Sequence, residues 1–417
     1  MGRFLFTMLP ANDLGLPTRM VPIARALADR GHDVAVFNPS PAPSKLIAEA
    51  GLRNLPMPDP PMIAGTIDLT QASTAWDVEQ FFAALYIDEG YVRATTAVYS
   101  ELIREFDPDV VIDSFDLLAC LAARILHVPL VTVLQGNFHP SSRGFLWWET
   151  ERPAGLPSAA RFINAVAAEY SIAKVDRCVD LMAGDLSLIV GTQETDPLLS
   201  TKNVLYVGPT IWQRGNAVLP EAIEGLNREW PVIWVYSGNP RYSGNVPNPF
   251  DSVVVTRAAI EVLHDVNVHV VLTSGFQEIP AEFGTLPANF HHVSYVPGQA
   301  MAQRSSLMVH HGGYSSVMTG LAAGTPAVII PTSTERHSNA RRCAALGAGE
   351  IVMPVNGDDG EKTIDLTDFS SKIQRVLTEP RYRNSAQRVS QSMRNYGGAA
   401  EAADRIEQFA HDRIRSV

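Results

Sequence analysis

The sequence predicts an α/β protein made of two parallel-sheet domains of similar size. Strand-like and helix-like runs alternate along its 417 residues, and the alternation pauses once, near 204–229, before it starts again. Size is the third observation. At roughly 150 residues per domain the chain holds two or three domains, each long enough to bury a large apolar core.

The elements follow in order. Residues 3–9 (RFLFTML) are an apolar run. It reads as a first buried strand rather than a signal-peptide core, because no small-residue cleavage site follows it and a helical pattern does. Residues 20–30 (MVPIARALADR) are an amphipathic helix, Gly31-His32 a turn, and 33–37 (DVAVF) a second strand. This β-α-β unit implies a parallel sheet with a right-handed crossover. Residues 109–113 form a strand, 116–126 a helix and 128–134 another strand opened by Pro129. Between 60 and 100, and from 138 to 180, the pattern is helical and rich in aromatics. Insertions of this kind after strands build binding surfaces. A second series of strands runs through 231–236, 269–273, 307–310 and 327–330, which fits two domains better than one long sheet.

Composition removes several function classes. The net charge of -11 leaves no basic stripe for displacing counterions from a polynucleotide, so nucleic acid is not an expected partner. A small phosphate ligand stays allowed, since helix N-termini and main-chain N–H groups hold phosphate without a basic surface. Cys120, Cys178 and Cys343 are few and far apart. They offer neither a disulfide framework nor a C-x-x-C metal pair, as expected of buried thiols in a reducing cytoplasm. No stretch of about 20 apolar residues is free of charge, so no membrane span is expected.

The common nucleotide signatures are missing. The chain has no Gly-Lys dipeptide, which excludes a P-loop, and no G-x-G-x-x-G follows a strand. Asp107-Pro108-Asp109 has the form of a short metal-binding D-x-D. It precedes its strand, however, on the edge opposite the one where open α/β sheets bind ligands, so it reads as a turn. The informative stretch is His310-His311-Gly312-Gly313-Tyr314-Ser315-Ser316, directly after the strand 307–309. Glycines let an anion approach the main chain, and the first N–H groups of the following helix point at it.

The run of residues 295–340, YVPGQAMAQRSSLMVHHGGYSSVMTGLAAGTPAVIIPTSTERHSNA, strongly resembles the nucleotide-sugar signature of family 1 glycosyltransferases of the GT-B fold. It is most similar to the bacterial branch that glycosylates macrolides and other natural products. Residues 22–32, 107–134, 207–209 and 231–239 resemble further segments of that family. The resemblance implies two Rossmann-like parallel-sheet domains facing across a cleft. It divides the chain into an acceptor-binding domain at 1–209, a linker at 210–229, a nucleotide-sugar-binding domain at 230–398, and a terminal helix at 399–417 that packs back on the first domain.

Residue by residue, the resemblance implies that His311 contacts the diphosphate of a UDP- or TDP-sugar. Gly312, Gly313, Ser315 and Ser316 line the same site with main-chain and hydroxyl donors, and Gly238 and Asn239 close it from the neighbouring strand end. Tyr295 stands where an aromatic stacks on the base, with Val296 contacting the base through its main chain. Each has an ordinary structural alternative: His311 and the serines as helix caps, Tyr295 as a core aromatic.

Three positions depart from the family pattern. Thr319 replaces a ribose-binding Glu, losing charge assistance and bidentate reach. Glu335 and Arg336 fall where an Asp/Glu-Gln pair holds sugar hydroxyls, so a permanent cation stands beside the donor. It either favours an unusual or acidic sugar or clamps the diphosphate. Leu16 occupies the place of the family's catalytic His, and leucine cannot take a proton. Asp13 in the loop 10–17 is the first candidate base. Asp113, matching the acid that orients the missing histidine, is the second.

Aromatic clusters in the first domain, Phe81, Phe82 and Tyr86 and then Trp147 and Trp148, are candidate acceptor contacts. Phe82 and Tyr86 also have ordinary core spacing. The sequence therefore predicts inverting, metal-independent transfer of a sugar to an apolar natural-product acceptor. The nucleotide-sugar is co-substrate and no cofactor is needed. A cytoplasmic protein, alone or as a homodimer, is expected. The alternative is an inactive relative that binds and activates a partner transferase.

Overall fold

Phe4, Leu5, Phe6, Thr7 and Met8 fill β1 (Arg3–Met8), and every residue after the first is buried. The computed structural model describes residues 1–59, 67–86, 88–148, 151–213, 218–238, 249–275, 279, 281–357 and 361–414. It divides into two units, Met1–Trp212 with Tyr396–Val417, and Gln213–Asn395.

In the first unit β1 is followed by α1 (Pro17–Asp29), β2 (Asp33–Phe37), α2 (Pro41–Glu49) and the short β3 (Arg53–Asn54). Helices α3 (Leu69–Ser73), α4 (Val78–Leu85) and α5 (Glu89–Phe106) precede β4 (Val110–Ser114). Then come α6 (Leu117–Ile125), β5 (Leu130–Leu134), α7 (Ala160–Glu169), β6 (Leu186–Ile189) and β7 (Val204–Tyr206). The strands form one parallel sheet in the order β3-β2-β1-β4-β5-β6-β7.

Two elements start more than one residue from their sequence-based positions. Helix α1 begins at Pro17 rather than residue 20, because proline presets the helical φ and lacks an N–H that the first turn would leave unbonded. Strand β5 begins at Leu130 rather than 128: the Val128 N–H turns back to the Ala123 carbonyl, and Pro129 has none to give.

The second unit holds α8 (Glu221–Glu224), β8 (Val232–Tyr236), α9 (Val253–Leu263), β9 (His269–Thr273) and β10 (Phe290–Val293). It continues with α10 (Gly298–Arg304), β11 (Leu307–His310), α11 (Tyr314–Ala323), β12 (Ala327–Ile329), α12 (Thr334–Ala345) and β13 (Gly349–Ile351). Helices α13 (Leu366–Thr378) and α14 (Pro380–Met393) close it. Its sheet is parallel, in the order β10-β9-β8-β11-β12-β13. Ile233, Val235, Val270, Leu307, Val309 and Val328 from these strands pack with Val255, Leu263, Phe369 and Ile373 of α9 and α13.

The last helix, α15 (Gly398–Ile414), belongs to the first unit. Ala402, Ala403 and Ile406 are fully buried. Arg30, just after α1, pairs with Asp404 at 2.8 Å and with Glu407. His32 Nε2 lies 2.6 Å from Glu407 Oε1, while its Nδ1 accepts the Gly2 N–H at 2.9 Å. Among the described residues no helix is long and apolar enough to cross a membrane.

Candidate functional site

Open parallel sheets bind ligands beyond the carboxyl ends of their strands, where the strand order reverses. The order fixes that point between β1 and β4 in the first sheet and between β8 and β11 in the second. The residues that follow those strands are 9–16 and 115–116 in one unit, and 237–238 and 311–313 in the other.

In the second unit Tyr236 and His310 are register partners, so the chain leaving β8 runs beside the glycine turn leaving β11. The His311 ring lies between two glycines. A Cβ built on Gly238 would stand 2.6 Å from its Cε1, and one on Gly313 would stand 2.6 Å from its Nε2. Both glycines therefore make room for an imidazole. The Tyr236 main chain accepts a hydrogen bond from the ring. Gly312 donates its N–H to His310 Nδ1 at 3.1 Å, and its carbonyl accepts from Asn339 Nδ2 at 3.0 Å. Gly313 is the N-cap of α11, and Ser315 and Ser316 lie in the first helical turn.

Three side-chain atoms here are buried without a hydrogen-bond partner: His310 Nε2, His311 Nδ1 and Ser315 Oγ. Orphaned buried polar atoms are rare and need an explanation. Of the three, Ser315 Oγ lies in the first turn of α11, where a hydroxyl donor beside the helical N–H groups suits an anion. Burial pushes His310 down to about 3. Burial first, then the charges of Arg336 and His310, holds His311 well below the usual histidine range. Both rings are neutral at physiological pH.

The other donor-side residues take these places. Tyr295 is half-buried and Val296 buried, just before α10. Thr319 Oγ1 donates to the Ser315 carbonyl at 2.8 Å, which leaves its lone pairs, not its proton, for a ligand. Glu335 Oε1 accepts from Asn339 Nδ2 at 2.8 Å. Arg336 is 5% exposed and donates to the Phe250 carbonyl at 2.8 Å and to Thr332 Oγ1. Its guanidinium thus ties α12 to residue 250 and adds positive potential next to His311. Asn239 lies outside the described residues.

In the first unit Thr7 and Asp113 are register partners on β1 and β4. Asp113 Oδ1 accepts the Thr7 hydroxyl at 2.9 Å, and Oδ2 accepts the Asp116 N–H at 2.9 Å. Asp113 is fully buried, and burial followed by the Asp116 charge pushes it well above the usual carboxylate range. Asp116 caps α6 through the N–H groups of Leu118 and Ala119, and accepts from Tyr99 Oη. Asp13 sits in the loop after β1, half-buried, with Oδ1 accepting the Gly15 N–H at 2.7 Å. Its other oxygen has no partner in the bonds described. Arg19 Nε donates to the Gly15 carbonyl at 3.0 Å, and Arg19 to Gln135 Oε1 at 2.7 Å, so a buried guanidinium fixes the loop to the end of β5.

The aromatic candidates separate. Phe82 and Tyr86 are interior, 0% and 2% exposed, with rings stacked 5.4 Å apart. Phe81 is half-buried, as are Trp147 and Trp148, whose rings meet edge-on at 5.7 Å. Arg143 lies 5.0 Å over Trp147. Sequence reasoning passed over Asn339, whose position four residues after Glu335 puts both on one face of α12. It also passed over Arg19, Gln135 and Phe115, whose partners are distant in sequence. Among the described residues no group of three or more His, Cys, Asp or Glu side chains is arranged to hold a metal ion.

Both halves of the chain resemble known proteins. Residues 257–409 match the family described as erythromycin biosynthesis protein CIII-like, C-terminal domain, and residues 15–168 match glycosyltransferase family 4. Demethyllactenocin mycarosyltransferase of Streptomyces fradiae is 35% identical over 153 residues, 37% of this chain and 32% of that protein. An uncharacterized UDP-glucosyltransferase, YojK, of Bacillus subtilis is 26% identical over 334 residues, 77% of this chain and 78% of its own. The spinosyn forosaminyltransferase SpnP superposes with a TM-score of 0.70 at 21% identity, covering 98% of this chain and 99% of its own. The glycosyltransferase VinC in complex with dTDP gives 0.69 at 21% identity, covering 98% and 100%. The chain is therefore a nucleotide-sugar-dependent glycosyltransferase of the GT-B fold. Within that class its residues 257–409 are similar to the CIII-like C-terminal domain of erythromycin biosynthesis.

Proposed function

We propose that the enzyme carries out inverting, metal-independent transfer of a sugar from a UDP- or TDP-sugar to an apolar natural-product acceptor. One observation carries the reading: the glycine turn Gly312-Gly313 leads into the N-terminus of α11, where the first helical N–H groups and the buried, unpartnered Ser315 hydroxyl are donors a diphosphate would satisfy. A relative named as a UDP-glucosyltransferase and a neighbour bound to dTDP support both nucleotides.

In this reaction the second unit holds the donor and the first unit the acceptor. Asp13 takes the proton of the acceptor hydroxyl. The acceptor oxygen bonds to the anomeric carbon from the face opposite the nucleotide, and the bond from that carbon to the diphosphate oxygen breaks. Helix-end N–H groups and the Ser315 hydroxyl, beside the His311 ring, stabilise the charge on the departing diphosphate. Asp13 is preferred to Asp113 because Asp113 spends both oxygens on Thr7 and the Asp116 main chain. Glu335 offers acceptor oxygens to the hydroxyls of the donor sugar, and Thr319 offers its lone pairs to the ribose.

Calorimetric titration with UDP and with TDP, followed by incubation with UDP-glucose and TDP-glucose, tests the reading. Saturable binding of one nucleotide and its slow release from the sugar are expected. No binding of either overturns the reading, and binding without turnover towards a broad acceptor panel favours the auxiliary role.

A further inference from the structure

Phe115 follows β4 at the reversal point of the first sheet, and its φ is +67°. The other non-glycine residues with positive φ among those described are Asp, Asn, His or Ser. Asn, Asp and His reach this region readily, whereas a bulky aromatic there is strained. The strain is held by its neighbours. Asp113 Oδ2 accepts the Asp116 N–H across the turn, and Asp116 in turn caps α6. Two fully buried carboxylates are thus spent on one four-residue turn.

That turn delivers a single ring. Phe115 stacks on Phe138, which follows β5, at 3.8 Å between centroids. It lies 4.9 Å from Phe82 and 5.4 Å from Phe81. Phe138 and Phe115 are 8% and 4% exposed, and Phe82 is fully buried. Phe81 is the half-buried member and so the outward edge of the group. A packing role alone does not call for a left-handed phenylalanine, since a helix position supplies a ring without strain. Strain kept at a ligand-binding strand end points to function.

We propose that Phe115, backed by Phe138 and edged by Phe81, is a specificity-determining residue that receives a planar aromatic ring of the acceptor. The proposal rests on the transferase reading above and narrows its acceptor class. Phe82 and Tyr86 then act as the wall behind this surface.

The test uses the full-length chain saturated with TDP or UDP, titrated with the planar phenol 4-methylumbelliferone and with the saturated alcohol menthol. The wild-type chain is expected to bind the phenol saturably. Phe115→Gly, which suits the positive φ, should weaken phenol binding about tenfold and leave nucleotide affinity unchanged. Phe115→Leu should weaken the phenol similarly and spare menthol. Phe81→Ala, on the partly open helix face, gives an independent reading with the same expected loss. Unchanged phenol affinity in folded Phe115→Gly and in Phe81→Ala overturns the proposal, as does a wild-type chain that binds nucleotide but not the phenol. Loss of nucleotide binding by the wild-type chain counts instead against the donor-site reading.

Discussion

Gly238 and His311 are packed against each other so closely that no side chain fits between them. A Cβ at 238 would lie 2.6 Å from Cε1, 2.9 Å from Nε2 and 3.0 Å from Nδ1 of the imidazole, and its φ is +74°. Gly238→Ala must therefore displace the ring and strain the main chain. Gly313→Ala displaces the same ring, at 2.6 Å from Nε2, without a left-handed φ. Both variants should bind TDP or UDP at least about tenfold more weakly, roughly 1.4 kcal/mol by calorimetry. Only Gly238→Ala should carry the added stability loss of about 1 to 2 kcal/mol for a Cβ in left-handed backbone.

The buried histidines make stability depend on pH in a calculable direction. His139, 5% exposed, accepts the Ser141 N–H at Nδ1 and so keeps its proton on Nε2. Burial lowers it from 6.5 to about 4. Below pH 6.5 the unfolded chain binds a proton at this residue that the folded chain refuses, so stability falls with pH until about 4. At pH 5 that loss amounts to about 2 kcal/mol. His139→Gln lacks the titration. Its deficit relative to wild type, measured by urea unfolding, should shrink by about 2 kcal/mol between pH 7 and pH 5. A constant deficit would mean that the ring is not held neutral.

Much of the fold was legible because parallel strands buried on both faces read as short apolar runs, and the helices between them carry one apolar stripe. The placement of the candidate donor site was equally legible: His311, the glycine pair and the serines are contiguous, and a strand leading into a helix N-terminus has local chemistry. The role of Gly238 as space for His311 was not, because it depends on two strands becoming neighbours across 73 positions of sequence. Arg336 shows the same limit. Its charge and place in α12 were visible, but its bond to the Phe250 carbonyl is a tertiary choice. The aromatic candidates split for a related reason, since spacing put Phe81 and Phe82 on one helix without saying which faced inward. Phe115 carried no signal, because nothing local marks a phenylalanine as left-handed.

Asp13 and Asp113 can be separated by what each loses on becoming an amide. Asp13→Asn keeps an oxygen for the Gly15 N–H, so the loop keeps its shape while the basic oxygen disappears. Transfer should fall by about 10²- to 10⁴-fold, the usual contribution of a general base, with nucleotide affinity and melting temperature unchanged. Asp113→Asn must instead present an NH₂ either to the Asp116 N–H or to the Thr7 hydroxyl. Turned towards Asp116 it opposes two donors. Turned towards Thr7 it forces the hydroxyl to reverse and accept. The first arrangement strands a buried N–H, at a cost of about 1 to 3 kcal/mol. The second is open only if the Thr7 proton finds another partner. Asp113→Asn should therefore lower the denaturation midpoint of the chain, and Thr7→Val should lose part of the same energy without adding to it fully in the double variant. A folded Asp113→Asn of wild-type stability, silent in transfer while Asp13→Asn remains active, would reverse the two roles.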